Sequence, residues 1–577
     1  MGWALNRRRV LAARGATLLF GVALLAGLFI VGPGCVHVAV AASFEKSDLL
    51  GRIATDYNAT RPSVDTRCVR IDVFRKASGE AERALAQGWH ESDGPYPHAW
   101  SPAATTWVTL LERHRAEAGL PNIVPAGLPS IARSPLVIAM PEPMAKALGW
   151  PAQNVAWAEI FSLAQDPRGW GRYGHSEWGF RLAKTSPIVS TSGLHTLLAT
   201  YEAAFQASGT RDLNDERVRA SVRGVESSVV HYGDTVSTFL KNLADADDRD
   251  EVFDYVSAIV MEEKQIWDYN NGNPEFRLTR TRQVPKIRLV ALYPVEGTYL
   301  ADHPFVVLNE SWIGDRERRA AASFVDYLRS NAVQLRFQQD GFRGYGGEPG
   351  PIITGNSEFN ANLPARIFPS ALPAALQQIQ SSWPELRKRA RVVMIIDSSS
   401  SMSARATGSA SKLQLAKQAA LGALPSFADD DDVALWSFAA APPRELVPLG
   451  PFREQQSTIR REIEQLEAQG SRKALYATIT KAVERLSKGF DPARINAVLV
   501  LTDGRNDDPE RSDLSALIRL LRAQPKSEVV RVFTLGYGSG ADLTTLERIA
   551  VASHGGGYEA TDPRVIDRVF QLIVSNF

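Results

Sequence analysis

The sequence predicts an α/β protein with two folded domains behind an N-terminal apolar segment. Three observations lead to this fold class. Strand-length apolar runs alternate with helical runs along most of the chain, a long apolar run stands near the N-terminus, and the 577 residues are 44% hydrophobic and 22% charged. This composition is typical of globular proteins and excludes a disordered, collagen-like or polytopic membrane chain. The length corresponds to about three or four domain equivalents.

Charge and cysteine content exclude two further classes of protein. The chain has 65 Lys and Arg residues against 64 Asp and Glu residues, so its formal net charge is +1. A nearly neutral chain has no electrostatic footprint for nucleic acid, and we expect no nucleic-acid partner. Two cysteines are too few for a cysteine-rich scaffold or a zinc site built from four cysteines.

The N-terminus has the pattern of a membrane anchor. Four arginines, at positions 7, 8, 9 and 14, precede an apolar run in residues 15–34. This run would be about 30 Å long as a helix at ~1.5 Å per residue, enough to span a bilayer core. Arginines stay on the cytoplasmic side. We therefore expect residues 1–14 in the cytoplasm, residues 15–34 as a transmembrane signal anchor of the cell membrane, and both domains outside.

Two other fates of this segment remain open. A cleaved signal peptide would use the Ala39-Val40-Ala41 site, and a lipoprotein signal would use Cys35. The uncleaved anchor is favoured because Val36 to Ala41 predicts a short buried strand, which cleavage after Ala41 would remove. Ser43 then begins a helical run, and Cys68 to Phe74 predicts a second, parallel strand beside the first.

The two cysteines stand at the starts of these two strands, Cys35 before the first and Cys68 at the second. They would therefore lie at the same edge of the sheet, which suits a disulfide in an oxidising compartment. The alternative is a lipidated Cys35 and an unpaired Cys68.

Small polar clusters mark several strand-to-helix transitions in residues 35–350. The clusters are at Ser43, at residues 76–79, at residues 101–103 and at residues 190–193. Ligands of α/β sheets bind at the carboxyl ends of strands, where the N-termini of helices present free N–H groups. A single cluster would mean little because Ser and Thr are ordinary helix caps, but four of them in one domain favour a binding site.

Several segments of this domain resemble bacterial extracellular solute-binding proteins of the type II periplasmic-binding fold. They are VAVAASFEKSDLL, HAWSPAATTWVTLL, SPLVIAMP, LAKTSPIVSTSGLHTLLATYEAAF and LYPVEGTYLADHPFVVLN. The resemblance implies two lobes that close on a small solute, with Ser134–Pro141 and Ile287–Pro294 as the crossing strands. By position it directs four side chains into the cleft: Ser43, Ser101, Ser192 and Tyr293. Hydroxyls and helix-start N–H groups suit an oxyanion or a carboxylate.

A proline-punctuated linker, residues 351–388, leads into a second domain at 389–577. Strands and helices alternate there, which predicts a doubly wound parallel sheet. The first strand ends in Asp397-Ser398-Ser399-Ser400-Ser401, and a later strand ends in Thr502-Asp503-Gly504.

These paired motifs, DxSxS and TDG, resemble the von Willebrand factor type A (VWA) fold, which carries a metal-ion-dependent adhesion site (MIDAS). The resemblance implies Mg²⁺ (or Mn²⁺) bound by Asp397, Ser399, Ser401 and Asp503, with an open position for a carboxylate of a protein partner. One loop departs from the family pattern, because Lys473 stands where a Thr is usual. A charged Lys cannot ligate a metal. Ser471 can substitute if the loop is one residue longer, or the Lys473 ammonium can neutralise Asp397 and Asp503 in place of the metal.

Known catalytic motifs are missing from the sequence, which contains no GxSxG, HExxH, P-loop or CxxC pattern. We therefore expect a binding protein rather than an enzyme. In this hypothesis a solute-binding-like module and a VWA module for metal-dependent protein binding stand outside the membrane. The alternative is the solute-binding subunit of an ABC transport system with an accessory VWA domain.

Overall fold

The computed structural model describes residues 34–577, except for 154, 441, 471, 511, 539, 561, 563 and 564. The anchor expected at residues 15–34 therefore lies outside the described residues, apart from Gly34, and so does Ser471. Among the helices that are described, none combines the length and apolar character needed to cross a membrane.

The first domain has a lobe built on a five-stranded sheet with the order β11-β4-β1-β3-β2. Its strands are β1 (Val36–Ala42), β2 (Ser63–Val64), β3 (Arg67–Arg75), β4 (Ala99–Ser101) and β11 (Val306–Val307). β1 is parallel to β3, as predicted for the strand–helix–strand unit, and it is also parallel to β4, which was not predicted. All but one of its seven residues are buried, because a strand covered on both faces must be apolar throughout.

The second lobe is built on a six-stranded sheet with the order β10-β5-β8-β6-β7, in which β9 also pairs with β5. Its strands are β5 (Ser134–Pro141), β6 (Leu182–Thr185), β7 (Val229–Gly233), β8 (Ala258–Glu262), β9 (Leu289–Leu292) and β10 (Leu300–Ala301). β5 and β9 are antiparallel, and both lie within the predicted crossing segments. β6 begins at Leu182, just after residues 179 and 181, whose backbone groups bond to Ser257 Oγ.

Helices cover both sheets of this domain. They are α1 (Phe44–Ala59), α2 (Ser78–Gln87), α3 (Thr105–Glu117), α4 (Glu142–Ala147), α5 (Trp157–Gln165), α6 (Thr191–Ser208), α7 (Glu216–Ser227), α8 (Val236–Asp248), α9 (Val252–Tyr255), α10 (Glu263–Asn270), α11 (Asp315–Leu328) and α12 (Asn331–Gln339). Ser43 is the N-cap residue of α1, and Ser190 is that of α6. Strand ends and helix starts are thereby directed towards the space between the lobes.

The disulfide between Cys35 and Cys68 is confirmed, with 4.5 Å between the two Cα atoms. It forms because β1 and β3 are parallel neighbours in register from Val36 opposite Val69. A bonded Cys35 has no free thiol for a lipid, so the alternative of a lipidated Cys35 does not fit this structure.

The connecting stretch 351–388 is more ordered than its prolines predict. It contains α13 (Pro351–Gly355) and α14 (Pro373–Leu386). α14 packs against the first domain: its Ser382 hydroxyl lies 2.7 Å from the Tyr201 hydroxyl, and the Trp383 ring meets the Tyr232 ring edge to face. The stretch joins the two domains as a packed helix.

The second domain is a doubly wound sheet with the order β16-β15-β12-β17-β18-β19. Its strands are β12 (Arg389–Asp397), β15 (Asp432–Phe438), β16 (Arg444–Pro451), β17 (Arg494–Thr502), β18 (Arg531–Tyr537) and β19 (Gly557–Ala560), and β13 (Arg405–Thr407) and β14 (Ala410–Ser411) form a small hairpin. The surrounding helices are α15 (Lys412–Ala423), α16 (Phe452–Gln465), α17 (Leu475–Ser487), α18 (Leu514–Arg522), α19 (Leu543–Ala552) and α20 (Ile566–Val574).

The central strands of this sheet were predicted, but its two edges were not. β16 pairs antiparallel with β15, and β19 is parallel to β18. Both edge strands are only partly buried, so they lack the continuous apolar run that marks the central strands.

Candidate functional site

Two aspartates meet at the carboxyl edge of the second sheet. Asp397 ends β12, and Asp503 directly follows β17, the parallel neighbour of β12. Parallel neighbours end at the same edge of a sheet, so the two carboxylates come together although 106 residues separate them in the sequence. Asp397 is fully buried, and Asp503 is 3% exposed.

The predicted serines complete this group, which we call the carboxyl-edge site. Ser401 Oγ donates to Asp503 Oδ1 at 2.9 Å, and the hydroxyls of Ser399 and Ser401 are 3.1 Å apart. The backbone N–H of Ser399 donates to Asp397 Oδ1 at 2.9 Å. Thr502 of the TDG motif, for which no role at the site was predicted, donates its hydroxyl to Asp397 Oδ2 at 2.7 Å.

Two lysine ammonium groups lie against the carboxylates of this site. Lys473 Nζ is 2.5 Å from Asp503 Oδ1 and 4.0 Å from Asp397 Oδ2. Lys412 Nζ is 2.5 Å from Asp503 Oδ2. Lys412 was not predicted. The sequence signal for it was weak, since it is a single lysine at the first position of the helix that follows the DxSxS loop. The β13–β14 hairpin brings this lysine back to the carboxyl edge of the sheet.

The donor set seen here does not fit a divalent cation. Mg²⁺ takes oxygen ligands at about 2.0–2.1 Å in octahedral geometry. Both oxygens of Asp503 are already engaged by ammonium groups, and a charged lysine offers no lone pair. The ammonium of Lys473 therefore stands at the Asp503 oxygen that the expected Mg²⁺ or Mn²⁺ would need as a ligand.

Burial raises the pKa of both acids and the lysines lower it, and the balance differs between Asp397 and Asp503. Burial raises the pKa of Asp397, and the nearby Lys473 only partly offsets this effect. Burial also disfavours charge on Asp503, but hydrogen bonds from Lys412 and Lys473 outweigh it and lower the Asp503 pKa. Asp503, which accepts hydrogen bonds from both ammonium groups, is therefore the more readily ionised of the two acids.

The first domain holds the second candidate site, between its lobes. A small cavity there is lined by the starts of several helices, including Ser43, Ser78, Ser192 and Thr235. Its volume is about 30 Å³, which suits on the order of one or two water molecules and not a solute. Ser43 and Ser192 were predicted at this cleft.

Direct contacts close the two lobes on each other. Gly79 N at the start of α2 donates to Val189 O at 3.0 Å, and Trp107 Nε1 of α3 donates to Thr191 Oγ1 at 2.8 Å. Gly79 is required at its position because a Cβ there would lie 2.4 Å from Ile188 O. The structure is therefore a closed form.

The structure places the other two predicted cleft residues elsewhere, which corrects the sequence analysis. Ser101 is fully buried and donates its hydroxyl to Pro304 O at 2.9 Å. Tyr293 donates its hydroxyl to Glu263 Oε1 and is 5% exposed. Both hydroxyls satisfy polar groups inside the fold, and neither residue is among those that line the cavity.

Acidic residues in the cleft were missed by the sequence analysis. Glu45, Asp234 and Glu262 contribute to the cavity lining, and among the described lining residues none is Lys, Arg or His. Glu45 and Glu262 also lie with His303 in a buried group whose candidate ligand atoms are within 4.8 Å of one another.

A lysine already provides the positive charge for this buried group. Lys46 Nζ lies 3.2 Å from His303 Nδ1 and 3.4 Å from Glu45 Oε1. Burial raises the pKa of Glu262 well above its usual value and lowers the pKa of His303 to about 3. The group therefore contains a buried ion pair of Lys46 and Glu45, with Glu262 and His303 beside it.

The second domain contacts both lobes of the first. On one side, Arg568 of α20 pairs with Glu80 of α2 at 3.4 Å and donates to Ser92 O at 3.1 Å. On the other side, Tyr558 Oη of β19 donates to Asp234 Oδ1 at 3.2 Å. Asp234 also lines the cavity, so one side chain belongs to both the cleft and the domain interface.

Comparison with known proteins identifies the two domains. The family model of bacterial extracellular solute-binding proteins matches residues 36–343, and that of the von Willebrand factor type A domain matches residues 392–571. Domains of the second family commonly bind a metal ion at their MIDAS.

The relatives and similar structures cover different parts of the chain. An uncharacterized protein of Mycobacterium tuberculosis is 22% identical over 549 residues, which are 90% of this chain and 74% of the relative. A von Willebrand factor type A structure from Catenulispora acidiphila covers 33% of this chain and 42% of its own, at 21% identity and a TM-score of 0.28. The sulfate-binding protein SubI from M. tuberculosis covers 54% of this chain and 87% of its own, at 16% identity and a TM-score of 0.36.

Proposed function

The chain belongs to the family of bacterial extracellular solute-binding proteins and carries a VWA domain behind that module, and from this premise we propose that it is an extracytoplasmic binding protein whose two modules act as one unit. The first module binds a small solute between its lobes. The VWA module binds a protein partner at its carboxyl edge. Neither module performs catalysis.

The observation that carries this proposal is the shared position of Asp234. Its carboxylate lines the cleft and accepts a hydrogen bond from Tyr558 of the VWA module. A solute enters a cavity of about 30 Å³ only when the lobes open. Opening moves α2 away from α8. The VWA module contacts Glu80 in α2 and Asp234 just before α8. Cleft opening and VWA docking are therefore coupled in this proposal.

Localisation outside the cytoplasm is supported by two features. The disulfide between Cys35 and Cys68 is typical of an oxidising compartment. β1 is the middle strand of its sheet, so cleavage after Ala41 would remove the strand that pairs with both β3 and β4. We therefore propose that residues 15–34 stay attached as a membrane anchor.

The anchor is tested by N-terminal mass mapping of the protein extracted from membranes. We expect peptides that contain Arg7 to Arg14, in a species that sediments with the membrane fraction. A mature N-terminus at Ala42 would contradict the anchor and would require another strand in the centre of the first sheet.

The coupling is tested with Arg568→Glu in the full chain held in detergent. In the wild type the side chains of Arg568 and Glu80 are 3.4 Å apart. The carboxylate introduced by Arg568→Glu would therefore lie near Glu80, and repulsion between the two should undock α20 from α2. We expect faster hydrogen exchange both in α20 and at the cleft, at the starts of α2 and α6. Arg318→Glu is the matched control, because Arg318 pairs with its near neighbour Asp315 on the surface of α11. Faster exchange in α20 with an unchanged cleft would exclude coupling.

The protein partner is sought by photo-crosslinking in cells. A photoreactive residue is placed at Ser403, which is exposed beside the carboxyl-edge site, and as a control at Arg460, which is exposed on α16. We expect a discrete protein adduct from position 403 and not from position 460. Equal adducts at both positions, or none at 403, would argue against the carboxyl edge as the binding surface.

A further inference from the structure

The VWA module has the two carboxylates of a metal site together with a cation of its own. Asp397 and Asp503 are almost completely buried, and they lie side by side at the carboxyl edge. Two buried carboxylates repel each other unless a proton or a cation accompanies them. In this chain two ammonium groups, from Lys412 and Lys473, are in contact with them.

We propose that Lys473, assisted by Lys412, permanently replaces the divalent cation of the carboxyl-edge site, so that the VWA module binds its partner without a metal. The charges balance, since two ammonium groups face two carboxylates. The lysine side chains keep only 11% (Lys473) and 18% (Lys412) of their surfaces exposed. Metal-independent binding of a partner rests on the proposed function, whereas the replacement of the cation does not.

The loop around Lys473 holds this side chain in place. Asp507 N donates to Lys473 O at 3.1 Å, and Lys473 N donates in return to the Asp507 carboxylate. Both bonds connect the Lys473 loop to the loop that carries Asp503. The backbone therefore fixes the point from which the ammonium reaches the carboxylates.

Gly504 provides the space that the ammonium occupies. A Cβ at this position would lie 2.1 Å from Lys473 Nζ and 3.2 Å from Lys473 Cε. Any larger residue would displace the ammonium from Asp503. The lysine and the glycine beside it are thus matched in shape as well as in charge.

A hydrogen-bond donor is left at the surface of the site, the ammonium of Lys412. Lys412 retains some exposure, and its bond to Asp503 uses one of the three N–H donors of the ammonium. An ammonium suits a carboxylate of a protein partner, which would be bound by charge-assisted hydrogen bonds rather than by a metal.

The experiment measures Mn²⁺ binding to the full chain by isothermal titration and by the electron paramagnetic resonance signal of free Mn²⁺. We expect no saturable binding by the wild type at this site. Lys473→Thr should bind Mn²⁺ saturably, with a Kd at least about tenfold below any weak apparent value of the wild type, because it removes a positive charge beside the two carboxylates and adds an oxygen ligand. Asp503→Asn in the Lys473→Thr background should abolish the gain. Lys417→Thr is the matched control, since Lys417 bonds to Glu464 O and Leu466 O instead of the site.

Two results would overturn the proposal. One is wild-type Mn²⁺ binding that Asp503→Asn removes. The other is a folded Lys473→Thr protein that binds Mn²⁺ no better than the wild type. If Lys473→Thr does not fold, Lys473→Gln keeps the length of the side chain without its charge and is judged by the same criterion. All measurements use Mn²⁺ and this chain alone, so a failed search for a protein partner leaves their outcome unaffected.

Discussion

Tyr558 of the VWA module and Asp234 of the solute-binding module share a hydrogen bond, with 3.2 Å between Tyr558 Oη and Asp234 Oδ1. Asp234 also accepts from the Thr238 hydroxyl at 2.9 Å. Burial raises the pKa of Asp234, and these two hydrogen bonds partly offset that effect. A residue of one domain therefore hydrogen-bonds to an acid that lines the cleft between the lobes of the other.

The first prediction concerns that hydrogen bond. Tyr558→Phe should lower the free energy of unfolding by about 1 kcal/mol, because the half-buried carboxylate of Asp234 loses one of its donors. Hydrogen exchange at the start of α8 should rise with it. Urea-induced unfolding and exchange mass spectrometry measure both quantities. Tyr96→Phe, at a side chain that is 42% exposed, should change neither. Unchanged exchange at α8 in Tyr558→Phe would show that the bond does not restrain the cleft.

The second prediction concerns closure of the lobes. Gly79→Ala would place a Cβ 2.4 Å from Ile188 O and 2.7 Å from the Trp107 ring. A backbone oxygen in contact at that distance has to move, so we expect the lobes to stay apart. Small-angle X-ray scattering should show a larger radius of gyration than for the wild type.

The control for closure is a glycine in an open position. Gly51 lies in α1, and a Cβ there would meet no atom within 4 Å. Gly51→Ala should leave the scattering profile unchanged and should stabilise the helix by up to about 1 kcal/mol. Identical profiles for Gly79→Ala and the wild type would contradict the closed contact.

The third prediction concerns acid stability of the domain interface. His554 lies there, with its ring stacked on Tyr255 at 4.7 Å between centroids. Burial, together with nearby arginines of which Arg531 is the foremost, lowers the His554 pKa to about 3. The folded pKa is below the unfolded value, so the unfolded chain binds more protons between pH ~6.5 and ~3. Stability is present above this window and is lost as the pH falls through it.

Replacement of His554 by Asn should remove this contribution. Asn is chosen because residue 554 has a φ of 56°, a left-handed conformation that Asn tolerates. Between pH 7 and 5 we expect His554→Asn to lose about 2 kcal/mol less unfolding free energy than the wild type. Urea-induced unfolding at both pH values measures the difference. His90→Asn, at an exposed histidine, should behave like the wild type, and equal losses in all three proteins would refute the assignment.

The fourth prediction concerns the disulfide. Labelling of free thiols in the native, non-reduced protein should be negative. Cys68→Ser opens a loop that spans 33 residues, and in the chain-entropy model this costs about 4 kcal/mol of stability. The double variant Cys35→Ser/Cys68→Ser should cost the same, because both changes remove one bond. Thiol labelling of wild-type Cys68, or a double variant as stable as the wild type, would contradict the bond.

The central architecture was predictable because it rests on local patterns. Apolar runs such as Val36–Ala41 fill a strand that is buried on both faces, and they alternate with helical runs as a parallel sheet requires. The motifs that contain Asp397 and Asp503 indicated the VWA fold, and parallel strand order then brought the two acids together. The edge strands β16 and β19 were missed because a half-exposed strand has no such run.

The sequence by itself determined the two domains, the cysteine pair, the DxSxS and TDG motifs, and the presence of Lys473 where a Thr is usual. Only the tertiary structure decided where Lys412 lies, that Ser101 and Tyr293 face away from the cleft, and that Asp234 meets Tyr558. The physical reason is range. Strand and helix periodicity act between residues a few positions apart, whereas Asp234 and Tyr558 are separated by 324 positions and meet only because two folded surfaces pack against each other.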